Sequence, residues 1–207
     1  MRTGILGGTF NPPHLGHLHA AELAHRALNL DRVLFIPTNI PPHKALPENT
    51  ASAEDRCEMV RRLTADMPWA QLDTIEIDRG GASYTVDTLR ALHARGETDL
   101  HLIVGTDMLL SFDKIWRAPD EIARLASIAV CARENEDWDA LREKAAALKD
   151  SLGAIVELVQ GDSLTISSTE LRQGGALRCY TPEKFQQRIV TDFILAFSCK
   201  FSCHFNQ

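Results

Sequence analysis

The sequence has little of what would tie it to nucleic acid, a membrane or a disulfide scaffold. Among 207 residues, 22 are Lys or Arg and 28 are Asp or Glu, a formal charge of −6. No basic block stands out. A chain that reads DNA or RNA through its phosphates carries a basic face, so nucleic acid is not an expected partner. No apolar run reaches the about 20 residues of a membrane-spanning helix. The longest, from Ile189 to Phe201, is broken by Thr191, Asp192, Ser198 and Lys200. The first residues run straight into a strand-like segment, Thr3 to Leu6, without the charged-then-apolar order of a secretory leader. A cytoplasmic protein with no membrane partner is expected. The cysteines, Cys57, Cys131, Cys179, Cys199 and Cys203, are odd in number and scattered, which argues against a disulfide framework. Cys199, Cys203 and His204 lack a second ligand pair at zinc spacing, so no protein-built metal site is expected.

What the sequence does have is strand–helix alternation. Apolar residues make up 44%, enough for a core, and the length suits one α/β domain. Short apolar runs predict strands at Thr3–Gly7, Val33–Pro37, Leu72–Ile77, Leu100–Val104, Ser127–Ala132 and Ala154–Val159. Amphipathic stretches predict helices at Leu18–Leu28, Ala53–Leu63, Val86–Ala94 and Trp138–Leu148. The alternation predicts a Rossmann-like, doubly wound parallel sheet with right-handed crossovers. Ligands in such sheets sit beyond the carboxyl ends of the strands, at the switch in strand order. Residues 1–207 are read as one domain, with 163–207 as a small helical C-terminal subdomain.

The densest signal is Gly7-Gly8-Thr9-Phe10-Asn11-Pro12-Pro13-His14-Leu15-Gly16-His17. A buried strand ends in two glycines, where a ligand can come close to the main chain. Prolines then precede a helix starting near Leu15. Its first N–H groups and dipole can hold phosphate. His14 and His17, three apart, place two imidazoles beside that anion site, unless they are ordinary surface residues. Neither the P-loop lysine nor the third glycine of a dinucleotide fingerprint is present. Far downstream, Ile166-Ser167-Ser168-Thr169-Glu170-Leu171-Arg172 reads as a capped helix start. It is either an ordinary cap or a second anion cradle of hydroxyls, N–H groups and the Arg172 guanidinium. Gly105-Thr106-Asp107 ends a predicted strand, where a carboxylate can hold ribose hydroxyls.

Taken together, Gly7 to Pro12 with His14-Leu15-Gly16-His17 resembles the His-x-Gly-His signature of the nucleotidyltransferase superfamily. Ile166 to Arg172 resembles the element that completes its ATP site. Pro41-Pro42-His43-Lys44, Ala82-Ser83-Tyr84-Thr85-Val86-Asp87-Thr88-Leu89 and Gly105-Thr106-Asp107 followed by Trp116 narrow the resemblance to the bacterial nicotinate-nucleotide adenylyltransferases. The resemblance implies an ATP site of Gly7, Gly8, Thr9, Phe10, His14, His17, Gly105, Asp107, Ile166, Ser167, Ser168 and Arg172. His14, His17 and Arg172 would be its catalytic members. It implies an acceptor site of Asn39, Lys44, Tyr84, Thr85, Asp107 and Trp116. Main-chain N–H groups at Tyr84 and Thr85 would take the nicotinate carboxylate, and Trp116 would stack on the pyridine ring. Asn11 stands where the family often has Asp, which removes a charge. The tail after about Phe193 is unlike the family's usual ending, and no role carries over to it.

The expected reaction is Mg²⁺-dependent transfer of AMP from ATP to nicotinate mononucleotide. Rival readings are nicotinamide mononucleotide as acceptor and a non-catalytic nucleotide-binding module. Intact His14, His17, Ser168 and Arg172 argue against the module. Phosphopantetheine is disfavoured because the motif of that family begins with Thr rather than His14.

Overall fold

The computed structural model describes residues 1–42, 46, 50–132 and 138–161. The chain divides into a unit of residues 1–168 and a unit of residues 169–207. The expected 163–207 subdomain lies outside the described residues.

Six parallel strands make up the sheet of the first unit. They are β1 (Arg2–Gly8), β2 (Arg32–Pro37), β3 (Ala70–Leu72), β4 (Asp99–Gly105), β5 (Ser127–Ala132) and β6 (Val156–Gln160), in the order β3-β2-β1-β4-β5-β6. The described helices are α1 (Leu15–Ala27), α2 (Ala53–Thr64), α3 (Ile75–Arg79), α4 (Thr85–Ala94), α5 (Thr106–Leu110), α6 (Phe112–Ile115), α7 (Pro119–Leu125) and α8 (Trp138–Leu152). This is the doubly wound, Rossmann-like fold that the alternation predicts. The central strands are apolar almost throughout because both faces are covered. Alternate residues Leu34 and Ile36, Leu102 and Val104, and Ile128 and Val130 join one core with Leu89 and Leu92 of α4, Ile122 of α7 and Leu141 of α8. The intervening Phe35, Ile103 and Ala129 are also buried, and Leu18, Ala21 and Ala24 of α1 are buried as well. Helix α1 packs on strands β1, β2, β4, β5 and β6.

One expected strand is displaced. The run from Leu72 to Ile77 is a strand only as far as Leu72. Asp73 Oδ1 then accepts the Ile75 N–H at 2.9 Å and turns the chain into α3. A carboxylate bonding the N–H two residues ahead competes with the sheet ladder and favours a helix start. Among the described residues, α5, α6 and α7 are further helices that the apolar pattern does not reveal, because each is seven residues or shorter.

The sheet opens where its order reverses. β1 pairs with β2 as far as Gly8–Pro37, but with β4 only as far as Ile5–Leu102. The carboxyl ends of β1 and β4 therefore part, and a crevice forms at the switch point.

At the other end of β1, Gly4 permits close packing. A Cβ there would lie 2.8 Å from Leu30 Cδ1, 3.0 Å from Val33 Cγ2 and 3.1 Å from Ile103 Cδ1. Overpacking of this kind costs about 1–3 kcal/mol, and Gly4→Ala is expected to lose that much in urea unfolding. Unchanged stability would mean that the three side chains can give way together.

Candidate active site

The crevice is lined by the loops that leave β1, β2 and β4. Leaving β1, Gly7 projects no side chain and a Cβ there would meet nothing within 4 Å. The same holds for Gly105 at the end of β4. Both positions leave room for a ligand against the main chain. The residue that turns the chain is Phe10 rather than a glycine. It has φ 49°, in the left-handed region, and is 1% exposed. Phenylalanine there is strained by roughly 1–2 kcal/mol. Its ring is held edge-on to His17 at 4.9 Å and tilted on Phe35 at 6.1 Å.

Helix α1 starts at Leu15, as expected, with His14 in extended geometry as its N-cap. The His14 N–H donates to His17 Nδ1 at 3.1 Å. A ring nitrogen that accepts cannot carry the proton, so the proton of neutral His17 is on Nε2. The two imidazole centroids are 3.7 Å apart. Burial, and then the neighbouring His14, push the His17 pKa down from 6.5 to about 3. His17 is therefore a neutral donor whose tautomer is fixed by the backbone. The expected juxtaposition of His14 and His17 at a helix start is present. Asn11 ties the β1 loop to the α2 approach, where its Oδ1 accepts the Ala51 N–H at 3.1 Å.

Asp107 is exposed in the first turn of α5, beside Gly105. Asn39, half-buried after β2, donates its Nδ2 to the Gly81 carbonyl at 3.0 Å and its N–H to Ser83 Oγ at 2.9 Å. Its amide is thus used to hold the 81–83 segment. Tyr84 is the N-cap of α4 and makes no side-chain cap bond. Thr85 and Val86 begin the helix, and the first N–H groups of a helix have no intrahelical acceptor. Trp116 follows α6, is half-buried and packs on Phe112 at 5.3 Å. The Arg117 guanidinium lies over the Tyr84 ring at 4.5 Å, so the Trp116 segment and the α4 start adjoin. Lys44, Ile166, Ser167, Ser168 and Arg172 lie outside the described residues.

Two buried charged residues in this region escape sequence reasoning. Arg56 of α2 is 2% exposed, and among the described residues no carboxylate lies within salt-bridge distance of it. Its Nη1 donates to the Thr9 carbonyl at 2.9 Å and the Thr38 carbonyl at 2.6 Å, and its Nε donates to the Ala51 carbonyl at 3.3 Å. The available signal was position: Arg56 shares a helical face with Val60 and Leu63, both fully buried. Glu76 of α3 is 6% exposed and hidden between two isoleucines in the misplaced strand.

Comparison with known proteins agrees with this geometry. The cytidylyltransferase-like family model matches residues 5–174. A probable nicotinate-nucleotide adenylyltransferase of Roseiflexus sp. is 44% identical over 186 residues, covering 87% of this chain and 90% of the relative. A second, from Trichlorobacter lovleyi, is 42% identical, covering 84% and 87%. A solved Plasmodium falciparum nicotinic acid mononucleotide adenylyltransferase, complexed with NaAD, superposes with TM-score 0.70 at 14% identity. It covers 95% of this chain and 96% of its own. That match speaks for the fold alone. Fold, crevice and imidazole pair together are those of a nucleotidyltransferase enzyme. Within that class, the chain belongs to the cytidylyltransferase-like family and, among its members, to the nicotinate-nucleotide adenylyltransferases. Among the described residues, no helix is long and apolar enough to cross a membrane.

The depressed His17 pKa has a measurable consequence. Below pH 6.5 the unfolded chain takes up a proton that folded His17 refuses until about pH 3. The stability contributed by neutral His17 is thus present above pH 6.5 and is lost as pH falls through that interval. In NMR titrations of the free enzyme, the His17 ring signals should stay flat across roughly pH 5–8, where an ordinary histidine titrates. A midpoint near the ordinary value would overturn the neutral assignment.

Proposed function

We propose that the chain transfers the AMP moiety of ATP to nicotinate mononucleotide, giving deamido-NAD and pyrophosphate. The observation that carries the acceptor is the α4 start. Tyr84 occupies the N-cap position without a side-chain cap, so the N–H groups of Thr85 and Val86 are available to a carboxylate, while that of Asp87 bonds the Tyr84 carbonyl. The Arg117 guanidinium beside it adds positive potential. The curated relatives bear the name of the same activity.

In this mechanism an oxygen of the mononucleotide phosphate attacks the α-phosphorus of ATP in line. One P–O bond forms, the bond from the α-phosphorus to the bridging oxygen breaks, and pyrophosphate leaves. The second pKa of the attacking phosphate is about 6, so it is ionised at neutral pH and needs no enzymatic base. The chain's work is positioning and charge stabilisation. Neutral His17 offers Nε2–H to an ATP phosphate, with His14 beside it. Gly7 and Gly105 admit the nucleotide, and Asp107 takes ribose hydroxyls. Ser168 and Arg172 would hold the leaving end, with Ile166 and Ser167 also in the ATP site, and Lys44 and Trp116 the acceptor. Magnesium would neutralise charge on the phosphates. The imidazoles and N–H groups of the crevice would bind the phosphates rather than the ion, which suits magnesium arriving on the nucleotide with its waters. Among the described residues, no three His, Cys, Asp or Glu side chains form a cage for it.

Purified enzyme with ATP, Mg²⁺ and nicotinate mononucleotide should release pyrophosphate and form deamido-NAD. Binding of ATP with no acceptor turned over would favour a non-catalytic module. His17→Ala is expected to lower kcat at least about a hundredfold, as loss of a preorganised donor does. Near-normal turnover in that variant would remove His17 from the mechanism.

Acceptor choice has a separate test. Charged hydrogen bonds contribute ~1.5–3 kcal/mol, so nicotinate should be preferred over nicotinamide by roughly tenfold to a hundredfold. Thr85→Pro deletes one N–H at the first helical position, where proline is tolerated. Tyr84, at φ −89° and ψ 129°, already has the backbone a following proline requires. The variant should lose mostly the nicotinate preference in kcat/KM, with circular dichroism unchanged. Equal use of both acceptors by the wild type would refute the specificity and leave the adenylyl transfer standing.

A further inference from the structure

Beneath the acceptor segment lies a buried carboxylate that the mechanism above does not use. Glu76 Oε1 accepts from Thr88 Oγ1 of α4 at 2.7 Å, and Thr88 Oγ1 accepts from Arg79 Nη2 at 3.2 Å. Burial pushes the Glu76 carboxyl up, while the hydroxyls of Thr88, Ser83 and Thr38 and the Arg79 charge favour its ionised form. An ionised carboxylate only accepts hydrogen bonds. Every hydroxyl turned toward it must therefore donate, and each oxygen is left to accept from elsewhere. Ser83 Oγ takes the Asn39 N–H in this way at 2.9 Å. One chain, Arg79 to Thr88 to Glu76, is closed by hydrogen bonds, and a second, Asn39 to Ser83, ends with the Ser83 hydroxyl beside the same carboxylate, whose buried Oε2 has no hydrogen-bond partner among the described residues.

Both chains end on the strips that carry the acceptor residues. Residues 39–40 and 81–83 are joined by one isolated bridge, Ile40 to Ala82, with the Ser83 N–H on the Ile40 carbonyl at 2.8 Å. The turn before them holds Gly80 and Gly81 at φ +71° and +68°. A strip with so little ladder of its own needs another restraint to fix the α4 start.

We propose that Glu76 is the positioning residue of the acceptor pocket, fixing Asn39 and the Tyr84–Thr85 helix start through Ser83, Thr88 and Thr38. The proposal rests on the reading that this helix start holds the acceptor.

Glu76→Gln keeps the shape and reverses part of the pattern, because its amide nitrogen only donates. An amide nitrogen facing Ser83 would then compete with the Asn39 N–H for the same hydroxyl oxygen. Steady-state kinetics with both substrates varied should show the acceptor KM raised about tenfold, equivalent to one charged hydrogen bond. The KM for ATP and kcat should stay within about threefold. Calorimetric affinity for nicotinate mononucleotide should fall in parallel. Ser83→Ala cuts the Asn39 chain without touching a helix interior and should raise the acceptor KM in the same direction, while Ser83→Thr should restore it. The double variant should be no worse than Glu76→Gln alone, since coupled residues are not additive.

An unchanged acceptor KM in Glu76→Gln would overturn the proposal, as would an equal rise in both KM values. If Glu76→Gln does not fold, an unchanged acceptor KM in Ser83→Ala overturns it. Wild-type turnover of nicotinate mononucleotide tests the underlying reading separately. If that mononucleotide neither reacts nor binds, both fall together. If it reacts normally in both variants, only the role of Glu76 falls.

Discussion

The site depends on one buried guanidinium that binds carbonyls instead of a carboxylate. Arg56 holds Thr9 after β1, Thr38 after β2 and Ala51 before α2. These segments leave adjacent strands at the switch point, where the ladder has ended. Their carbonyls are at least partly buried and need donors. A lysine has one donor centre and could not span them, whereas the planar fork of arginine donates in several directions at once. Burial lowers the Arg56 pKa from its usual value, with Cys57 and Glu54 opposing. The desolvation cost is offset by charge-assisted bonds to the three carbonyls. Without them the turn carrying Phe10 and the strip carrying Asn39 would be joined chiefly by the end of the β1–β2 ladder, where the Thr38 N–H bonds the Gly8 carbonyl.

The strain and desolvation on the nucleotide side follow from that anchoring. Phe10 keeps a left-handed backbone because its ring is enclosed by His17 and Phe35, with Thr9 tied to Arg56. His17 keeps a neutral ring because it is packed against Phe10 and His14. A protonated His17 would bind a polyphosphate more strongly in the ground state. A neutral one with a fixed tautomer costs less to desolvate and directs a single N–H. Catalysis gains only from interactions stronger in the transition state than in the bound substrate, so in the role proposed for His17 direction matters more than net charge.

The parts of the fold legible in the sequence were those governed by period and punctuation. The buried strands, the α1 start after paired prolines and the α4 start at Thr85 were all readable, because each is a local matter of burial or capping. Sequence reasoning failed wherever a side chain answered to a distant backbone. Asp73 ends β3 early through one hydrogen bond. Arg56 reads as a polar residue of an amphipathic helix until its three carbonyl partners, from residues 9 to 51, come together. Glu76 reads as a strand charge between isoleucines until α3 and α4 bring Thr88 to it. Gly7 leaves open space as a glycine there would, but the positive φ of the turn falls on Phe10, which no glycine pattern marks.

Thr38 is where the two halves of the site meet. Its N–H bonds the Gly8 carbonyl at 2.8 Å, its carbonyl receives Arg56, and its hydroxyl favours ionised Glu76. The phosphate turn and the acceptor strip are therefore set against each other by bonds converging on one residue after β2. The proposed in-line attack demands that the acceptor phosphate and the ATP α-phosphorus be aligned, and misplacement of about 1 Å can cost a hundredfold in rate. Each half-site could be assembled from local helix starts alone, since α1 and α4 offer their N–H groups wherever they lie. Their mutual distance could not. On the proposed reading it is set by two buried ionisable groups that converge on Thr38, Arg56 at its carbonyl and Glu76 beside its hydroxyl. This gives a physical reason for burying ionisable groups beside a pocket whose bond-making steps use neither.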